Sequence, residues 1–470
     1  MAILPSESAR PEVSTQVVVI GAGACGLTAA LAARERGAEV LVLERDTRPT
    51  GSTSLSTGLI PAAGTRLQDA AGILDSAELL ESDILKKAQH QTDTAIVRAV
   101  AQASGPTVDW LMQVHQLQLT LVQGYLYPGH SVLRMHGTPH RTGTELEAGL
   151  LAAAERMGID IVCSARVTDL YATAQGRVTA VRFERPDGTS ETVGCEALVL
   201  ACSGFGGNPE LLRKHIPEIA DAEFWGHKGN RGDALLWGLD LGAAVADLGS
   251  YQGHGGVSTP YGNPINWGVL TEGGFMVNAL GQRFSNEVNG YSEQAIETLA
   301  QPGGFAWDVF DAKREQPVLG FTDHQQVMAL GGVRSADSVA ELAHQMQVPA
   351  SVLASTFAEV AAMCASGLPD AFGRSFAGKQ ALAPPYRAVK ITGALFHTQG
   401  GLVIDSSARV LRPDAQPLPN LFAGGGAARG MSGPSRWGYF SGGGLLTAIA
   451  LGRLAGDQAA RIVCAPTTAR

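Results

Sequence analysis

The stretch "QVVVIGAGACGLTAALAARERGAEVLVLER", residues 16–45, limits what this chain can fold into more than any other. Val17–Ile20 is a short run of β-branched apolar residues, which reads as a buried parallel strand. Gly21, Gly23 and Gly26 then form GxGxxG. A helical pattern runs to Arg36, Gly37 stops it, and a second strand, Glu39–Leu43, ends at Glu44. Each glycine has a mechanical task. Gly21 permits a tight turn, Gly23 lets a pyrophosphate approach the backbone, and Gly26 lets the helix pack on the strand. The helix start, at Ala24 and Cys25, offers N–H groups and a positive dipole end to phosphates. Glu44, with Arg45 beside it, can accept hydrogen bonds from ribose hydroxyls. GxGxxG alone is a weak signal, but strand, turn, helix, strand and terminal acid together predict a dinucleotide site.

Two further regions extend that site. "TGSTSLSTGLIPAAGT", residues 50–65, is rich in small and hydroxylated residues. Gly51, Ser52, Thr53, Ser54, Thr57 and Gly58 can run close along an extended cofactor. Far downstream, "PNLFAGGGAARG" (419–430) is a strand running into glycines that include Gly425. A helix pattern from Gly442 to Ala455 follows, carrying Leu445 and Leu446. Cofactor-contacting regions at opposite ends of the chain fit FAD, which spans a whole domain.

Composition sets the outer limits. A chain of 470 residues exceeds one ordinary core, so two domains are expected. A net charge of −9 argues against nucleic acid or an anionic membrane as partner. The six cysteines show no CxxC pairing, and the loop at 124–143, with His130, His136 and His140, lacks acidic or thiol partners, so no metal is expected. Its Tyr125 and Tyr127 can line an apolar pocket. "LLTAIALGRLAG", the longest apolar stretch, is broken by Arg453 and is too short to span a bilayer. The first fifteen residues read as a disordered arm rather than a signal peptide, so a cytoplasmic location is expected.

Several segments together resemble the flavoprotein superfamily of soluble fumarate reductases and 3-ketosteroid dehydrogenases. They are the fingerprint, the 50–65 loop, "ALVLACSGFGGNPELL" (197–212), "GNRGDALLWGLDLGAAV" (229–245), "VLTEGGFMVNALGQRFSNE" (269–287), "LFHTQGGLVIDSSARVL" (395–411) and "PNLFAGGGAARG". The resemblance implies an α/β fold: a Rossmann-like FAD-binding domain with a parallel sheet, and an inserted smaller α+β cap domain. It implies residues 1–250 and 385–470 for the FAD domain and 251–384 for the cap. It adds Val167, Ala201, Gly204 and Asp233 to the cofactor contacts. Relatives with covalent flavin carry a histidine before the small-residue loop. Ser52 stands there, so non-covalent FAD is expected.

Moving two hydrogens on or off a C–C bond needs a hydride partner, a proton partner and donors that polarise a carbonyl. Fumarate reductases place a proton-donating arginine four residues past the glutamate of RFxNE. Here that residue is Tyr291, which resembles the tyrosine base of the ketosteroid dehydrogenases. "GPSRWGYFSGGG" (433–444) is similarly divided. Tyr439 and Ser441 resemble the ketone-holding pair of the 4-dehydrogenases, and Gly443 matches the backbone donor of the 1-dehydrogenases. Arg436 instead aligns with a carboxylate-binding arginine of fumarate reductases. His397, His254, Thr271 and Glu272 also match substrate-side residues there. Two readings follow. One is desaturation α,β to a ketone, with Tyr291 as base. The other is fumarate-reductase-like chemistry on a carboxylate. The expected partners are a small ketone or enone and a separate electron acceptor.

Overall fold

The computed structural model describes residues 2–465. Among them the larger sheet has nine strands. Its centre is Val13–Ile20, flanked in parallel by Val40–Leu43 on one side and Ser190–Leu200 on the other. Asp160–Val162 extends the sheet beyond Val40–Leu43, and Pro417–Ala423 joins the end of Ser190–Leu200, both in parallel. Val17, Val18 and Val19 are fully buried. Burying such a side chain contributes about 1.5–3 kcal/mol, which explains the near-continuous apolar run.

The helix Ala24–Glu35 follows the central strand and packs against Gly443–Val463. Small residues allow this contact. A Cβ on Gly452 would lie 2.5 Å from the Cys25 carbonyl oxygen, and one on Gly456 would lie 2.1 Å from that of Ala29. The two ends of the chain therefore build one layer.

The arm expected to be disordered is ordered from residue 2. Ala2–Pro5 forms a strand parallel to Arg166–Ala172, with Ala2 opposite Asp169. An open sheet edge offers unpaired N–H and C=O groups, and this short apolar segment pairs with them.

A second sheet is built on the long strand Tyr386–Thr398. It pairs antiparallel with Tyr251–Ser258, Phe305–Asp311 and Val333–Ala336. Two helices, Val339–Met346 and Ala350–Ser366, follow the strand Val333–Ala336. The helix Tyr291–Leu299 lies on Tyr251–Ser258 and brings Tyr291 to the space between the sheets. The RFSNE segment fixes its start. Glu287 is fully buried and accepts from Arg283 at 2.9 Å and Arg374 at 2.7 Å, and its second oxygen accepts the Met276 N–H at 2.8 Å. Burial raises its pKa, but Arg374 and Arg283 outweigh burial and pull it down to about 2.

Candidate active site

One long cavity runs between the two sheets. It is lined by Gly21, Gly23, Ala24 and Cys25 of the fingerprint, by Glu44 and Arg45, and by Gly51, Ser52, Thr53 and Thr57. Val167, Ala201, Asp233, Gly425, Gly442 and Leu445 also line it. At its other end stand Tyr127, His254, Trp267, Tyr291, His397 and Tyr439.

The fingerprint end fits a dinucleotide. Gly21 has φ +104°, and a Cβ there would meet the Ala201 carbonyl oxygen at 2.6 Å. Gly23 caps the helix with no side-chain bond, leaving the first turn open to the cavity. The Ala24 N–H donates to Thr53 Oγ1 at 2.8 Å, which ties the small-residue loop to the helix start. Glu44 accepts the Ala22 N–H at 2.9 Å, so part of the carboxylate braces the loop. Asn230 donates to Ser52 Oγ at 2.8 Å and steadies the loop from the opposite wall.

Five expected cofactor residues stand behind this wall. Gly26 is a packing residue: a Cβ there would be 1.8 Å from the Gly21 oxygen. Ser54 donates to the Gly51 oxygen at 3.0 Å. Gly58 and Gly204 meet Thr142 and Thr398, at 2.6 and 2.0 Å from a notional Cβ. Leu446 is fully buried in the core.

At the far end, Tyr291 and Tyr439 stand at the start of the helix Gly443–Val463. Burial pushes the Tyr291 phenol up to about 12, while the Tyr439 hydroxyl and the Gly442 N–H act the other way. Burial also drives Tyr439 well above its ordinary value, opposed by the Gly444 and Gly442 N–H groups. Both phenols are therefore protonated donors at neutral pH.

Five expected members of this site are corrected by their contacts. The Gly443 N–H donates to the Phe440 oxygen at 2.8 Å and is not free. The N–H groups beside the tyrosines are those of Gly442 and Gly444, which line the cavity. The Ser441 hydroxyl donates to the Pro128 oxygen at 2.9 Å, holding the turn instead of facing the cavity. Arg436 lies outside the lining and pairs with Glu218 at 2.9 Å. Thr271 and Glu272 also lie outside it: Thr271 donates to the Gly268 oxygen at 3.3 Å, and Glu272 pairs with Lys379 at 3.2 Å.

The two histidines do line the cavity. His254 stacks on Tyr291, with centroids 5.0 Å apart and planes at 23°, and also on Phe396. The Gly256 N–H donates to its Nδ1 at 3.1 Å, which assigns the proton of the neutral ring to Nε2. Burial lowers its pKa to about 3. In the same way Gln399 donates to His397 Nδ1 at 3.0 Å, and burial lowers the His397 pKa to about 4. Both rings are neutral, and His397 Nε2 lies 3.3 Å from Ser203 Oγ.

Sequence reasoning missed Trp267, Asn266, Phe321 and Asp323. Their segments carry no glycine motif, and only the packing of the second sheet's region against the first brings them to the cavity. Tyr127 lines the cavity as expected, and its hydroxyl meets that of Tyr125 at 2.7 Å. His130, His136 and His140 are dispersed: the first lies against Phe440, the second against Thr65 and the third against Glu145. Among the described residues no group of three or more His, Cys, Asp or Glu side chains could hold a metal, and no helix is long and apolar enough to cross a membrane.

Comparison with known proteins agrees with this geometry. The family described as FAD binding domain matches residues 16–443. A probable fumarate reductase of Shewanella frigidimarina is 32% identical over 460 residues, 97% of this chain and 76% of that protein. The open conformation of a flavocytochrome c3 fumarate reductase superposes with a TM-score of 0.79 at 30% identity, covering 97% of this chain and 80% of that one. A 3-ketosteroid-Δ4-(5α)-dehydrogenase from Rhodococcus jostii shares the fold, with a TM-score of 0.78 at 24% identity over 98% of this chain and all of that one. The glycine fingerprint, the hydroxyl-rich loop and the Gly442 turn thus meet on one cavity because the chain belongs to the FAD binding domain family and is an FAD-dependent oxidoreductase.

Proposed function

We propose that this chain interconverts a ketone and its α,β-unsaturated form, with Tyr291 exchanging the proton at the α-carbon. FAD, when bound, supplies the hydride exchange at the β-carbon. The carrying observation is the neutral, aromatic lining of the substrate end. Tyr127, Trp267, Tyr291 and Tyr439 are uncharged, His254 and His397 are held neutral, and Arg436 is paired with Glu218 outside. A carboxylate here would be a buried anion without a cation, which is costly. A ketone oxygen needs only donors. The Tyr439 hydroxyl and the Gly442 and Gly444 N–H groups supply them, and the helix dipole points its positive end the same way.

Tyr291 rests protonated and is ready to donate in the enone-reducing direction. For desaturation it must first lose its proton, and the Tyr439 hydroxyl and the Gly442 N–H favour that phenolate. The Ser52 hydroxyl at the loop supports FAD held without a covalent bond; acid precipitation should release all of the flavin. Electrons pass to a separate acceptor.

A second reading, carboxylate reduction, is favoured by the similarity to a probable fumarate reductase and by the two cavity histidines. Anaerobic mixing of the FAD-loaded protein with cyclic ketones and with succinate-type acids separates the two. Flavin bleaching by ketones is the expected result. Bleaching by the dicarboxylates alone would overturn the ketone reading.

A further inference from the structure

The cap contributes one charged group to this otherwise neutral wall. Asp323 lines the cavity beside Phe321, Ile265 and Asn266. It lies in the first turn of the helix Thr322–Ala329, where the helix dipole favours an anion, yet its side chain caps no N–H. The helix start is anchored, since Thr322 Oγ1 donates to the His140 oxygen at 2.9 Å.

The carboxylate is half-buried and poorly served. Its one hydrogen bond comes from Asn263 Nδ2 at a marginal 3.5 Å, and the same nitrogen makes a shorter bond, 2.7 Å, to Gln326. It forms no ion pair among the described residues. Burial raises its pKa, opposed only by Asn263. A cavity-facing carboxylate with spare lone pairs lowers its cost by meeting a donor, and the protein supplies none of adequate strength. No hydrogen bond joins it to Tyr291 or Tyr439, and a carboxylate accepts where a ketone oxygen also accepts, so the group it can serve is a donor other than the carbonyl of a substrate.

We propose that Asp323 forms a second substrate subsite, which takes a hydroxyl or ammonium group carried on the end of the substrate remote from its carbonyl. This rests on the ketone reading above and narrows it. The substrate presents an acceptor oxygen to the tyrosine pair and a donor group to Asp323, with an apolar body between them against Ile265, Trp267 and Phe321.

The test uses the full FAD-loaded chain and cyclohexanones that carry an alkyl chain on the ring carbon opposite the carbonyl. The chain is varied in length and ends in methyl, hydroxyl or ammonium. Affinity is read from the change in the flavin's visible spectrum. At one chain length the hydroxyl- or ammonium-ended ketone should bind about tenfold tighter than its methyl-ended match, or better. In Asp323→Ala that ratio should fall to about one for both. In the isosteric Asp323→Asn it should fall for ammonium and persist in part for hydroxyl, which separates the two donors. Equal affinity for all three endings at every length overturns the subsite while leaving the ketone reading standing. A spectral change with dicarboxylates and none with any ketone overturns both.

Discussion

The rings of Tyr291 and Tyr439 meet edge to face, with centroids 5.8 Å apart and planes at 60°. They come from opposite parts of the chain: one opens the helix Tyr291–Leu299, and the other precedes the helix Gly443–Val463. Their meeting sets two phenols beside the unsatisfied N–H groups of a helix start. In the proposed ketone chemistry the pair divides the work, with Tyr439 and the amides holding the carbonyl oxygen and Tyr291 moving the proton.

Removing one hydroxyl tests that division. Tyr291→Phe keeps the buried ring and its stack with His254, so FAD content should match the parent. The anaerobic half-reaction with a ketone should slow by about 10²–10⁴, the range for loss of a general acid–base group. Stopped-flow flavin absorbance measures it, and an undiminished rate would remove Tyr291 from the chemistry.

The pH dependence has a defined sign. With Tyr291 pushed up to about 12, the protonated form dominates throughout neutral pH. Enone reduction by the pre-reduced protein should therefore be flat between about pH 6 and 9. Desaturation needs the phenolate, so its rate should rise about tenfold per pH unit over the same range. His254 and His397, held near 3 and 4, add no inflection there. A plateau near pH 7 in the desaturation profile would point to another base.

Stability should respond to acid through Glu287. Its pKa is held at about 2, below the ordinary 4.5, so its contribution is complete above about pH 4.5 and is lost as pH falls towards 2. Glu287→Gln leaves the buried Arg374 guanidinium without its counter-ion, while Arg283 keeps Asp370, and should cost about 3 kcal/mol. Burial lowers the pKa of Arg374, yet a guanidinium stays charged near neutrality, so the penalty remains. Denaturant unfolding at neutral pH and at about pH 3 measures both effects, and the variant should show the smaller acid sensitivity.

Close packing at the fingerprint makes a further case. Gly26→Ala forces a methyl to within 1.8 Å of the Gly21 carbonyl oxygen, a rigid backbone atom. The helix must lift from the loop, so the purified protein should lose most of its bound flavin, read as visible absorbance per protein. A fully yellow Gly26→Ala variant would contradict this geometry.

The dinucleotide unit was readable in the chain because its information is local. A strand, three glycines, a helix and an acid follow one another within thirty residues, and each acts on its neighbours. Tyr291 and Tyr439 were also readable, because each sits in a motif of fixed spacing. The rest depended on long-range contacts. The arm at Ala2–Pro5 is ordered by a sheet edge formed by residues 166–172. Arg436 and Glu272, both matched by position to substrate-side residues, are drawn away by Glu218 and Lys379. The amide expected from Gly443 is taken by Phe440, and the glycines that line the cavity there are Gly442 and Gly444. Spacing along a chain determines which groups can reach a site. Which of them face it depends on partners far away in sequence, and only the packed fold brings those partners within bonding distance.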